Sequence, residues 1–193
     1  MGSNWVIRRV PWLERSFPTA LPLSMFPSLL ERLRGTPARV EDRLLGISRE
    51  RLTTRLGDSW SIQENLGHLI LVEQLWAARI SDFEAAATEL RAAHFEAWRV
   101  GAAGFNERPV GELFAAFRTR REVLVARLCS LDADVLEHVS WHTRLRQPMG
   151  MADLMGFIAE HDDHHLASIS ELLALGSEPL PPSPGNVLTG GSV

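Results

Sequence analysis

Lysine and tyrosine are absent from this chain of 193 residues, and cysteine occurs once. All 20 basic residues are arginines, which excludes a Schiff-base enzyme, a pyridoxal-phosphate anchor and a Walker A phosphate grip. A tyrosine general acid is excluded as well. The single Cys129 has no internal disulfide partner, as expected of a reducing compartment. Long hydrophobic runs are missing: Leu69-Ile70-Leu71-Val72 is typical, far short of the ~18 residues a membrane span needs. No apolar signal-peptide core follows the two arginines within Met1–Arg9, so the expected location is cytoplasmic, with no membrane partner. A net charge of -4 gives no basic surface of the kind nucleic acid requires. What remains, 45% hydrophobic and 23% charged residues, is enough apolar material for one buried core.

Apolar residues recur at spacings of three and four, and alternating strand-like runs are scarce, which predicts an all-α protein. Residues 1–24, with Pro11, Pro18 and Pro22, read as an irregular N-terminal arm lying on the body. A first helix starts near Met25; Gly35-Thr36-Pro37 is expected to interrupt it, with Pro37 opening a second stretch to about Leu45. Ser48–Leu56 reads as a short turn of helix. Ser61-Ile62-Gln63-Glu64 is a capping box, opening a helix to about Phe83. A weaker helix is expected over Ala85–Trp98, a long one over Pro109–Ser130, a short turn capped by Asp132, a connection at Trp141–Gly150, and a last long helix over Met151–Leu175. The predicted architecture is a four-helix bundle with short additional helices over 25–176. A Pro/Gly-rich C-terminal tail over 177–193 is expected to pack little.

The chemistry concentrates in Glu160-His161-Asp162-Asp163-His164-His165. His161 and His165 are four residues apart, about 400° of rotation, and so stack on one helix face. Leu154, Ile158, Ile169 and Leu172 share that face, so both imidazoles point inward, where a divalent metal would satisfy two desolvated rings at once. Two solvated histidines at the rim of the bundle are the plain alternative. His68 lies among apolar residues of the second long helix, and Gly67 beside it leaves room for a close approach. Three histidines from two helices would leave coordination positions open, as a reactive metal centre needs.

Trp60-Ser61-Ile62-Gln63-Glu64-Asn65-Leu66-Gly67-His68-Leu69, followed at a distance by His161-Asp162-Asp163-His164-His165, resembles the DinB superfamily and its YfiT-like branch, and Leu33-Arg34-Gly35-Thr36-Pro37-Ala38-Arg39 resembles its first-helix region. The resemblance spans about residues 25–175. It implies a DinB-like four-helix bundle holding one divalent metal ion, zinc or nickel in most members and iron in some. The ligands it implies are His68, His161 and His165. It further implies a homodimer and, in characterised relatives, a low-molecular-weight thiol such as bacillithiol or mycothiol used for transfer to a small-molecule electrophile. The function expected on this basis is a metal-dependent thiol transferase or hydrolase; a non-catalytic metal-binding stress or structural protein is the alternative.

Other metal patterns fit less well. In a zincin helix Asp162 would stand where glutamate is the general base. A di-iron bundle needs Glu-x-x-His on two helices, but Asn65 and Asp162 occupy the glutamate positions. Ala167 stands where the sulfoxide-synthase branch of the same superfamily carries a glutamate. Around the three histidines, His164 is open between a hydrogen-bond donor near the metal, a catalytic acid–base group and a surface residue. Asp162 or Asp163 could accept a ligand's free ring N–H or form a solvated acidic face. Glu64 is one turn from His68, although its capping role already explains it, and Trp60 is expected to seal the helix start. His94, His138 and His142 read as surface residues, and Cys129 as a small buried one. Arg118, Arg120 and Arg121 read as a solvated face, with a cofactor-binding role as the alternative.

Overall fold

The computed structural model describes residues 9–93 and 98–175. Four long helices form the body: α1 (Phe26–Leu44), α3 (Ile62–Glu84), α5 (Val110–Cys129) and α7 (Met151–Leu175). Short helices α2 (Arg49–Thr53), α4 (Trp98–Ala102) and α6 (Ala133–Glu137) join them. Three short strands, β1 (Glu89–Leu90), β2 (Val139–His142) and β3 (Gln147–Gly150), and three 3-10 turns at Trp12–Glu14, Leu23–Met25 and Phe105–Glu107 complete the element order. Both α1 and α3 pack against α5 and against α7, so the successive long helices α1 and α3 stand across the bundle diagonal from each other. The apolar stripes meet in a core that includes Leu33, Leu66, Leu69, Ile80, Leu113, Phe117 and Ile158.

The helix starts follow local chemistry. Ser61 Oγ accepts from the Glu64 N–H at 3.0 Å and Glu64 Oε2 from the Ser61 N–H at 2.9 Å, closing the expected capping box. Ser48 caps α2 through the Arg51 N–H. Asp153 accepts from the Gly150 N–H at 2.9 Å and so fixes the turn from β3 into α7. Asp132 stands at the cap position of α6 but makes no side-chain cap bond.

Four expectations are corrected. The first helix is not interrupted: α1 runs through Gly35 and Pro37 without a break. Proline at 37 removes the N–H that would serve the Leu33 carbonyl, and Arg121 Nη1 supplies a donor there at 3.2 Å instead. In place of the expected helix over Ala85–Trp98, the chain leaves α3 at Ala85 and forms β1, and residues 94–97 lie outside the described residues. The connection at Trp141–Gly150 belongs to an antiparallel hairpin in which His142 faces Gln147, and β1 pairs with β2 in parallel. Cys129 is exposed, at the end of α5.

Residues 9–24 of the expected arm run along α7 in the opposite direction. Arg9 pairs with Glu171, Arg15 with Glu160, and the Leu21 N–H reaches Asp153. Residues 1–8 and the expected tail 177–193 lie outside the described residues. Among the described residues no helix is long and apolar enough to cross a membrane.

Candidate metal centre

His68, on α3, and His161 and His165, on α7, converge in the bundle, all three buried, with one potential ligand atom from each within 4.8 Å of the others. The Nε2 atoms of His68 and His161 are 3.1 Å apart. One proton or one cation fits between two imidazole nitrogens at that distance; two protons do not. Nitrogens sharing one ion at bonds of about 2.1 Å stand about 3–3.5 Å apart, so the pair already has the spacing of a metal-bridged one.

The His165 ring is oriented by Asn65. Its Nδ2 donates to the Ser61 carbonyl at 2.9 Å, which turns Oδ1 toward His165 Nδ1, 2.9 Å away. An amide oxygen only accepts, so His165 Nδ1 carries the proton and Nε2 keeps its lone pair, the tautomer a metal ligand needs. The protonation states agree. Burial holds His68 down to about 3 and pushes His161 and His165 well below 6.5, with neighbouring histidines adding to each shift. At neutral pH all three rings are uncharged. His161 Nδ1 is buried with no hydrogen-bond partner among the described residues.

Aromatic side chains wall the cluster. Trp60 lies 5.0 Å from the His68 ring and nearly parallel to His165 at 6.0 Å. Trp76 meets His161 at 5.4 Å, and Trp12 of the arm meets its edge at 4.9 Å. The close approach allowed by Gly67 is filled by the Phe105 ring: a Cβ there would fall 2.2 Å from it. On the other side His165 and Asn65 line a cavity of about 480 Å³ together with Arg9, Trp60, His164 and Glu171.

His164 stands at this cavity, not in the cluster. Arg9 Nη1 lies 2.9 Å from its Nε2, and burial, followed by the charges of Arg9 and Arg15, holds its pKa at about 4. The two aspartates do not bond to the three clustered histidines. Asp162, fully buried, binds Arg121 and the Thr36 hydroxyl, while Asp163 binds Arg32 and Arg39. Their position next to His161 in sequence is misleading because successive residues of a helix point about 100° apart. Glu64 is held by the capping box and by Arg55; burial would raise its pKa, but Arg55 and the Ser61 N–H outweigh that and keep it lowered.

Several other expectations also change. Arg121 is no part of a solvated face: it is 1% exposed and joins Glu73 of α3 to Asp162 of α7. Arg118 pairs with Glu41, and Arg120 donates to the Ile70 carbonyl. His142 is buried, and His138 is half-buried with Nε2 3.0 Å from the Ala87 carbonyl. His94 lies outside the described residues. The residues missed by sequence reasoning are Asn65, Trp12 and Arg9. The spacing Asn65-x-x-His68 was the available signal for Asn65; nothing local marks the other two.

A model of the DinB superfamily matches residues 32–169. Among solved structures, the chain is similar to YfiT from Bacillus subtilis, described as a probable metal-dependent hydrolase with an unusual four-helix bundle topology. The TM-score is 0.69 at 16% sequence identity, covering 84% of this chain and 94% of that one. No curated protein matches.

Proposed function

The chain belongs to the DinB superfamily, and from that premise we propose that it is a metal-dependent enzyme acting on a small electrophilic substrate, with His68, His161 and His165 holding one divalent ion. The observation that supports this most directly is the set of three buried, neutral imidazoles, one of them fixed in the ligand tautomer by Asn65, beside an open cavity. A bound ion in such a setting lowers the pKa of a coordinated water or thiol and so supplies a nucleophile at neutral pH. The chain's own residues do the rest. Asn65 keeps the His165 lone pair aimed inward, Trp12 and Trp76 shield His161 from water, and the wall of Arg9, His164 and Glu171 offers polar contacts to whatever enters the cavity.

Water as nucleophile makes the protein a hydrolase, the activity named in the description of YfiT; a low-molecular-weight thiol makes it an S-transferase. The ion is zinc or nickel in this proposal, with iron accepted by the same donors. The working form is a homodimer, which light scattering tests.

Metal content measured on protein purified without a metal-affinity step is the decisive test. About one ion per chain is expected, lost in His68→Ala and in His161→Ala/His165→Ala. Metal retained in these variants overturns the ligand assignment. Loaded protein assayed on activated esters and epoxides, with and without added thiol, then separates hydrolysis from thiol transfer. No turnover in either arm would leave a metal-binding protein without catalysis, the alternative reading.

A further inference from the structure

A second group of side chains gathers on the far side of Trp76, around the ring of Phe157. The Arg79 guanidinium carbon lies 6.0 Å from that ring's centre, the Arg144 carbon 5.7 Å, and the His142 ring 5.5 Å. Arg79 is also stacked on Trp76 at 5.6 Å and is only 2% exposed. Stacking occupies the faces of a guanidinium and leaves its N–H edge to be satisfied elsewhere. For Arg79, Nε donates to the Arg91 carbonyl at 3.3 Å. The carboxylate acting on it, Asp82, is already taken by the Arg91 backbone N–H at 2.9 Å and its Nε at 3.0 Å. Arg144 has no ion pair among the described residues, although Arg9, Arg15, Arg32, Arg39, Arg55, Arg91, Arg118, Arg121 and Arg127 all do.

The hairpin adds two more donors. His142 Nδ1 accepts from the Leu145 N–H at 3.2 Å, so the proton of the neutral ring sits on Nε2. That Nε2–H is buried with no partner among the described residues, and His142 is 1% exposed. Gln147 faces His142 across β2 and β3, so both side chains leave the same side of the sheet. The Gln147 amide nitrogen is also buried and without a partner. Four groups with N–H to give therefore share one corner of the molecule, where the carboxylate that acts on Arg79, Asp82, is bonded to Arg91. Burial, and after it the charge of Arg144, lowers Arg79 to about 10; burial, and after it the charges of Arg79 and Arg144, lowers His142 to about 4. Such mutual repulsion is what an anion relieves.

We propose that this corner is an oxyanion-binding site, in which Arg79 and Arg144 grip the carboxylate or phosphate group of a small molecule and His142 Nε2–H and Gln147 Nε2–H complete its hydrogen bonds. The site is built on α3, α7 and the hairpin and does not depend on a metal at the three histidines. Phe157 stands one helical turn before His161, so an occupant would abut the aromatic wall of the metal centre through Phe157 and Trp76.

The test titrates succinate and, separately, inorganic phosphate into chelator-treated, metal-free protein at constant ionic strength. Thermal midpoint and the His142 side-chain nitrogen resonances are followed. A saturable shift that moves the His142 Nε2–H signal is expected, weakened by about tenfold in Arg144→Gln, the loss of one charged hydrogen bond. Arg144 is on the surface, so this variant leaves the fold in place. Arg146→Gln, which removes the same charge from the same turn, should bind as the parent does. No saturable shift with either probe would overturn the site, as would equal binding by Arg144→Gln, or an equal loss in Arg146→Gln, which would reduce the effect to general charge. Phosphate bound and succinate not, or the reverse, identifies the head group within the proposal.

Discussion

Arg121 Nη1 lies 3.2 Å from the Leu33 carbonyl oxygen, the acceptor that Pro37 deprives of its helical N–H. The same guanidinium binds Glu73 Oε1 at 3.0 Å through Nε and Asp162 Oδ1 at 3.0 Å through Nη2. One side chain from α5 therefore ties α1, α3 and α7 together, reaching α7 at Asp162, the residue next in sequence to His161. Burial raises the Glu73 pKa; at Arg121 burial works against the charge, but Asp162 and Glu73 outweigh it and the pKa is raised.

Arg121→Leu should therefore cost about 3–5 kcal/mol, because two buried carboxylates and a backbone carbonyl lose their donor together. Urea unfolding measures it, and a loss below about 1 kcal/mol would mean that the network carries no more weight than an exposed ion pair. In a Pro37→Ala background the Leu33 carbonyl regains a backbone N–H, so the cost of Arg121→Leu should shrink there. The difference is a coupling energy between residues 37 and 121.

Asn65 is tested through the tautomer it imposes. Asn65→Leu removes the acceptor from His165 Nδ1–H and should weaken metal binding by about 10–100-fold while helix content stays unchanged. Asn65→Asp keeps an acceptor in place and should retain more affinity than the leucine variant. Competition with a chromophoric chelator reads both. Equal affinity for all three proteins would separate Asn65 from the metal centre.

The long helices and the three converging histidines were legible in the sequence because each is a local signal. The capping box at Ser61, the four-residue spacing of His161 and His165, and the apolar stripes all act within a turn or two of helix. What was not legible depends on partners far along the chain. Pro37 sits inside α1, and Arg121, 84 positions later in the numbering, serves the carbonyl it frees. β1 exists because β2 pairs with it, and a two-residue strand carries no periodicity of its own. His142 is buried by the hairpin's packing on Phe157, which no spacing near His142 announces. The aspartates beside His161 misled for the opposite reason: adjacency in a helix sends side chains to different faces.

His142 gives a pH signature. Burial, followed by Arg79 and Arg144, lowers its pKa from 6.5 to about 4 in the folded protein. Between these values the unfolded chain binds a proton that the folded one does not, so stability falls as pH falls. The contribution of His142 is complete above about pH 6.5 and is lost on the way to about pH 4. Urea midpoints of metal-free protein should decline over that window, and less steeply in His142→Gln, which has no proton to take up. The other buried histidines titrate in both proteins, so the difference isolates residue 142. Parallel curves would contradict the assignment.

Trp12 covers the three histidines from the arm, and on the proposed metal-binding role its removal should show in the kinetics of metal exchange. Its ring stands edge-on to His161 at 4.9 Å and packs on Phe157 at 5.0 Å and near His164 at 5.7 Å. The ion pairs on either side, Arg9–Glu171 and Arg15–Glu160, are partly exposed and worth about 0–1 kcal/mol each. Trp12→Ala should leave the three ligands where they are, so equilibrium affinity should change little. Water and chelator would reach His161 more often, and the release rate should rise several-fold. Stopped-flow chelator competition on cobalt-loaded protein measures that rate directly. Arg9→Ala is the comparison: it loses the pair with Glu171 and the contact with His164 but keeps Trp12 in place, and it should release metal at close to the parent rate. A Trp12→Ala protein that releases metal no faster than Arg9→Ala would show that the arm lies on the bundle without guarding the centre.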